Sequence, residues 1–151
     1  MNKALLVFHS VHGNTEKVAK ALTKGLENNG VTVDCREVDA VEFDKLSGYD
    51  LLIIGGPTHN MGISKPIDAF LERLKSVEIE EMGAFAFDTK TKNWLAGSAG
   101  AKIDGKLKNL GLTILRSHAS AIVKGVKGPL EEGTELEFKR IGAELAKEVK
   151  N

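Results

Sequence analysis

The chain has 151 residues, 42% of them hydrophobic and 28% charged, and its 21 basic side chains balance 21 acidic ones. These figures suit one globular domain over residues 1–151 with a core of its own, and they exclude a disordered chain. Charge balance removes the global field that draws proteins to nucleic acid or anionic membranes, so no nucleic-acid partner is expected.

The first apolar run, Ala4 to Phe8, lacks polar alternation and reads as a strand buried on both faces, the pattern of a parallel sheet. It is too short for a leader or a membrane span, and a cytoplasmic protein without membrane insertion is the expectation. Thr15 to Asn29 has helical spacing, with Val18, Leu22 and Leu26 on one face and Asn29-Gly30 as its stop. Val31 to Val38 alternates apolar and polar side chains, as a strand nearer the sheet edge does. It holds Cys35, the single cysteine, which can form neither an internal disulfide nor a metal site alone and is expected to be a small buried residue. Leu51 to Ile54 is another fully buried strand, closed by Gly55-Gly56-Pro57. A helix begins near Ser64, with Pro66 tolerated in its first turn and Ile67, Phe70, Leu71 and Leu74 turned inward. Gly83 to Phe87 is the fourth strand, and a helix from about Ser98 to Leu110 follows a long connection. Thr113 to Leu115 and Ala121 to Val123 read as one fifth strand broken by Arg116 to Ser120. Thr134-Glu135-Leu136-Glu137 has capping-box spacing and opens a last helix that buries Phe138, Ile141, Leu145 and Val149. The alternation implies an α/β fold, a five-stranded parallel sheet with helices on both faces.

Open parallel sheets bind ligands beyond the carboxyl ends of their strands, where the strand order reverses. After the first strand, Ser10-Val11-His12-Gly13-Asn14-Thr15 leads straight into a helix, and helix-start N–H groups with small hydroxyl and amide side chains make an anion site. The glycine spacing is neither a Walker loop nor a dinucleotide fingerprint, and no lysine or arginine is present, which suits a phosphate monoester held by neutral donors. Simple capping of the helix by Asn14 or Thr15 is the alternative. His9, His12, His59, His118 and Cys35 have no zinc spacing, and no acid–base pair or nucleophile triad is visible, so no catalytic residue and no metal are assigned. The chemistry would belong to a cofactor.

Ser10-x-x-Gly13-Asn14-Thr15 after a first apolar strand resembles the FMN-phosphate loop of the flavodoxin family. Gly55-Gly56-Pro57-Thr58-His59 resembles its second FMN loop, and Gly97-Ser98-Ala99-Gly100, with Ile103 and Lys106 to Gly111, the helix after the third. The resemblance covers essentially the whole chain in order, without the fifth-strand insertion of longer members. It implies strand order 2-1-3-4-5, FMN as cofactor, and an electron carrier rather than a stand-alone oxidoreductase. Such a carrier would meet redox partner proteins transiently, as a monomer or weak dimer.

The resemblance assigns the phosphate to Ser10, Val11, His12, Gly13, Asn14 and Thr15. It places Pro57, Thr58, His59, Asn60, Met61 and Gly62 along one side of the flavin, with Thr58 toward the phosphate or ribityl chain and His59 where members often stack an aromatic ring. In the loop that also holds Lys90 and Asn93, backbone groups around Asp88 and Thr89 would meet the polar edge of the ring system, and Trp94 would cover its second face. Members turn over a peptide in the second loop so that its carbonyl meets N5 of the reduced flavin; Asn60-Met61-Gly62 could do so, because Asn and Gly tolerate positive φ. His59 as a plain surface residue and Trp94 as helix packing are the alternatives. Lys65, Lys90 and Lys92 in or beside these loops imply a less negative potential or a docking face of unusual sign, and protonated His12 could pair with the phosphate. Two other readings stay open: an FMN-dependent reductase of quinone or porphyrinogen, and a flavodoxin-like binding module without flavin.

Overall fold

The computed structural model describes residues 2–79, 81–93 and 97–150. Its strands are β1 (Lys3–Phe8), β2 (Thr32–Glu37), β3 (Leu51–His59), β4 (Gly62–Ile63), β5 (Gly83–Thr91), β6 (Thr113–Ile114) and β7 (Ala119–Val123), and its helices α1 (Asn14–Glu27), α2 (Lys65–Leu74), α3 (Ala99–Asn109) and α4 (Thr134–Lys150). The parallel order is β2-β1-β3-β5, with β6 beside the start of β5 and β7 beside its end. The fifth strand is thus one position in the sheet filled by two short pieces. Leu115 still donates to the Ala84 carbonyl, after which the chain leaves the ladder and His118 N–H donates to the buried Asp104 carboxylate at 3.3 Å.

Period-two alternation sorts each central strand into two cores. Leu6 and Phe8 of β1, with Phe85 and Phe87 of β5, face Leu22, Leu26, Phe138 and Leu145 of α1 and α4. Leu5 and Val7, with Ala84 and Ala86, face Ile67, Phe70, Ile103 and Leu107 of α2 and α3. Each buried Leu, Ile or Phe contributes about 1.5–3 kcal/mol relative to exposure, and both faces are covered in this way. On the first face α1 and α4 nearly touch backbones: a Cβ on Gly25 would lie 2.0 Å from the Lys139 carbonyl oxygen, and one on Gly142 2.4 Å from that of Leu22.

Several boundaries differ from the sequence expectation. β3 does not stop at Gly55-Gly56-Pro57 but continues to His59, with Gly56 opposite Asp88 and Pro57 opposite Thr89. The Phe87 ring lies across Gly55, where a Cβ would come within 2.1 Å of it, so the strand carries glycine there for packing rather than for a turn. The antiparallel β4 was not visible in the apolar pattern. The Thr134–Glu137 capping box is not formed: the Thr134 hydroxyl donates to the Glu131 carbonyl, and Glu137 N–H donates to Gly133. Cys35 is half-buried at the edge of the core, and burial raises its thiol pKa above the usual value. No helix among the described residues is long and apolar enough to cross a membrane.

Candidate functional site

The chain leaves β1 toward β2 on one side and returns to β3 on the other, so the order reverses between β1 and β3. Beyond their carboxyl ends opens a cleft with about 600 Å³ of empty space, part of it open to solvent. Ser10, Val11, His12, Asn14 and Thr15 line it from the first loop, Pro57, Thr58 and His59 from the end of β3, and Thr89 and Lys90 from β5. The described structure therefore brings ten of the seventeen expected residues to one cavity. Thr91, Val123 and Val126 join them, residues the sequence did not single out because the pairing of β7 with the end of β5 has no local signal.

The helix-start geometry follows from Gly13. It takes φ of +90° as the residue before α1, and no side chain of its own caps that end. The Ser10 hydroxyl instead accepts from the Gly13 and Glu16 N–H groups at 3.1 and 3.3 Å, arching the loop over the first turn. Asn14 and Thr15 do not cap the helix; both are buried inside its first turn. The Thr15 hydroxyl shares a 2.8 Å hydrogen bond with that of Thr89, and the Asn14 amide lies against Gly128, where a Cβ would come within 2.7 Å of it. The Asn14 and Thr15 N–H groups have no partner among the described residues. Two free N–H groups at the positive end of a 14-residue helix, beside a hydroxyl with its own proton available and no carboxylate in the lining, fit a phosphate monoester.

The Asp88 side chain does not line the cleft. Because β5 runs on to Thr91, the period-two alternation turns Asp88 to the α3 face, fully buried and out of the cleft lining. Its Oδ2 accepts from the Thr58 hydroxyl at 2.9 Å, the Ser98 hydroxyl at 2.8 Å and Gly100 N–H at 3.0 Å. The Thr58 hydroxyl in turn accepts from Ala99 N–H at 3.0 Å. A buried carboxylate at the start of α3 suits the helix dipole and fastens the end of β3 to the loop that opens α3. Oδ1, equally buried, has no partner among the described residues.

The second loop is a hairpin. Thr58 pairs with Ile63 and His59 with Gly62, leaving Asn60 and Met61 as a two-residue turn with φ of 48° and 67°. Positive φ at both central residues is the turn that suits hairpin twist. The strained residue is Met61 rather than Gly62, at a cost of about 1 kcal/mol. The third loop abuts it: Gly97, with φ of +73°, would place a Cβ 2.6 Å from the Met61 carbonyl oxygen. Asn60, Met61, Gly62 and Asn93 stand outside the cleft lining, and Gly13 contributes backbone only; Trp94 lies outside the described residues.

Two histidines meet at the cleft margin. The His9 and His59 rings stand edge to face with centroids 6.2 Å apart, and His9 Nδ1 shares a 2.9 Å hydrogen bond with the buried Ser64 hydroxyl. Burial, then the neighbouring His59, lowers the His9 pKa against the opposing pull of Glu37 and Asp39. His12 and His59 are both exposed.

A family model described as Flavodoxin matches residues 6–141. The probable flavodoxin 1 of Bacillus subtilis (strain 168) is 30% identical over 89 residues, which is 58% of this chain and 56% of that protein. An NAD(P)H dehydrogenase (quinone) of Cupriavidus metallidurans is 26% identical over 140 residues, 76% of this chain and 70% of that protein. The solved structure of a flavodoxin from the domain Archaea superposes with a TM-score of 0.85 at 24% identity, covering 99% of each chain, a similarity of fold.

Proposed function

The chain belongs to the flavodoxin family, and from that premise we propose that it is an FMN-holding electron carrier that shuttles electrons between redox partners. The observation that carries this reading is the start of α1, where the Asn14 and Thr15 N–H groups, without a partner among the described residues, stand with the Ser10 hydroxyl in the lining of one cleft. When bound, FMN supplies the electron-accepting ring. The chain's own residues would hold it: Asn14 and Thr15 N–H with the Ser10 hydroxyl on the phosphate, and Thr58, His59, Thr89 and Lys90 along the rest. Thr89 is fixed by Thr15, and Thr58 by Asp88, so two of these contacts are oriented by buried partners before any ligand arrives. One unit of chain, present as a monomer or weak dimer in the cytoplasm and meeting its partners transiently, completes the proposal.

The similarity to a quinone dehydrogenase favours one second reading, an FMN-dependent reductase. Against it, the described hairpin turn is two residues long and the loop after β7 adds no further helix or strand before α4. Reconstitution with FMN followed by two assays separates the readings. A carrier quenches FMN fluorescence one to one and passes electrons from an added flavodoxin reductase to cytochrome c, yet does not oxidise NADH or NADPH with quinone on its own. Unaided turnover of quinone with either nicotinamide would install the reductase reading instead.

A further inference from the structure

Charge is unevenly placed at this end of the sheet. Segments 57–66, 88–93, 97–102 and 124–128 carry Lys65, Lys90, Lys92, Lys102, Lys124 and Lys127 against one carboxylate, the fully buried Asp88. Five of these lysines are exposed and Lys90 is half-buried. None pairs with a carboxylate among the described residues. Lys102 reaches from α3 to the hairpin, where a Cβ on Gly62 would lie 3.3 Å from its Nζ. Acids stand nearby: Glu16, in the first turn of α1, pairs with Lys20, and Glu37 and Asp39 are close enough to act on His9. Past the 124–129 tip the chain returns along β7, so Glu131 N–H bonds the Ile122 carbonyl, while Glu37 and Asp39 sit at the β2 side across β1. A phosphate of about −2 in the cleft would still leave these segments positive by roughly three charges.

The same edge exposes apolar side chains. Val11, Met61 and Val126 are 54%, 59% and 79% exposed, three of the four large exposed hydrophobics among the described residues. An apolar centre ringed by charge of one sign is the anatomy of a protein-docking surface whose partner carries the opposite sign. A polyanion such as nucleic acid would meet the lysines but leave the apolar centre without a counterpart.

We infer that this edge docks an electron-transfer protein with an acidic face, its apolar centre resting on Val11, Met61 and Val126 and its carboxylates on the lysine ring. The inference rests on the carrier reading and adds the sign of the partner. Cytochrome c tests it, because one haem acceptor is available in two signs: native and lysine-rich, or succinylated with its lysines turned into carboxylates. The protein, loaded with FMN and reduced beforehand with dithionite, delivers one electron to each ferric haem, leaving ferrous haem. At low ionic strength the succinylated form is reduced at least about tenfold faster than the native form, and salt erases the difference. A Lys102→Glu, Lys124→Glu, Lys127→Glu variant reverses that order.

A second measurement does not depend on turnover. Titrating the 15N-labelled holoprotein with succinylated cytochrome c shifts amide signals from segments 57–66 and 124–128, and an equal concentration of single-stranded oligonucleotide does not displace it. Faster reduction of native cytochrome c, rates independent of salt, or displacement by the oligonucleotide would each overturn the inference. Failure of FMN to bind at all would instead strike the carrier reading, and the same amide titration run on the flavin-free protein would still score the docking surface.

Discussion

Replacing Asp88 by alanine removes the acceptor on which Thr58, Ser98 and Gly100 converge. The two hydroxyls can turn elsewhere, and Ser98 already accepts from Ala101 N–H, but the Gly100 N–H is fixed in the backbone and buried. An unsatisfied buried donor costs about 1–3 kcal/mol, and hydrogen bonds to a charged group are worth about 1.5–3 kcal/mol each. Relief of the unpartnered Oδ1 offsets part of this, leaving a net loss of about 3 kcal/mol. The Asp88→Asn substitution keeps an acceptor oxygen for Gly100 and loses about 1 kcal/mol. Urea unfolding followed by circular dichroism reads both values. Because Thr58 lines the cleft, the alanine variant also weakens FMN by about tenfold, or about 1.4 kcal/mol, in a fluorescence titration. An alanine variant within about 0.5 kcal/mol of the parent and equally tight on FMN would refute the view that Asp88 fastens the two loops.

Other perturbations probe the scaffold. Gly142→Ala forces a Cβ to within 2.4 Å of the Leu22 carbonyl oxygen and separates α1 from α4. It costs about 1–2 kcal/mol in urea unfolding despite alanine's better helix propensity, whereas Gly105→Ala, with open space at its Cβ, gains about 0.5–1 kcal/mol. Tyr49, the single tyrosine, donates to Asp34 at 2.5 Å, and burial followed by that carboxylate pushes its pKa up to about 12. Absorbance at about 295 nm should therefore titrate near that pH in the folded protein; stability from the neutral phenol, complete below the ordinary value of 10.0, drains as pH rises toward it. His9 runs the other way. Its folded pKa lies below the ordinary 6.5, so the unfolded chain takes the proton first and stability is lost as pH falls through that value. His9→Gln should flatten the decline of Tm between about pH 7 and pH 5.5; an unchanged slope would count against it.

The sheet was legible where burial alone decides structure. Leu5 to Phe8, Leu51 to Ile54 and Ala84 to Phe87 each send alternate side chains into two cores, which leaves no polar position and makes them stand out as buried runs. The loop before α1 was legible because Gly13 precedes an amphipathic helix. The elements that sequence reading missed are those held by partners distant in the chain. Asp88-Thr89-Lys90-Thr91 looks like a loop, but the ladders to β3 on one side and β7 on the other keep it extended, and that extension turns Asp88 inward. The hairpin was hidden because Met61, a residue with no preference for positive φ, holds the position where Gly62 was the natural choice. The loop at 124–128 approaches α1 through Gly128 against Asn14, a contact between residues more than a hundred positions apart that leaves no trace in either local pattern.

The most direct test of the phosphate loop compares FMN with riboflavin, which differ by that phosphate alone. Fluorescence quenching by the purified protein should give one-to-one binding of FMN and a Kd for riboflavin at least roughly a hundredfold weaker, about 2.7 kcal/mol. Ser10→Ala should narrow that gap from the FMN side. Equal affinity for the two flavins, or binding of neither, would contradict the assignment of the α1 start as the site that holds the cofactor.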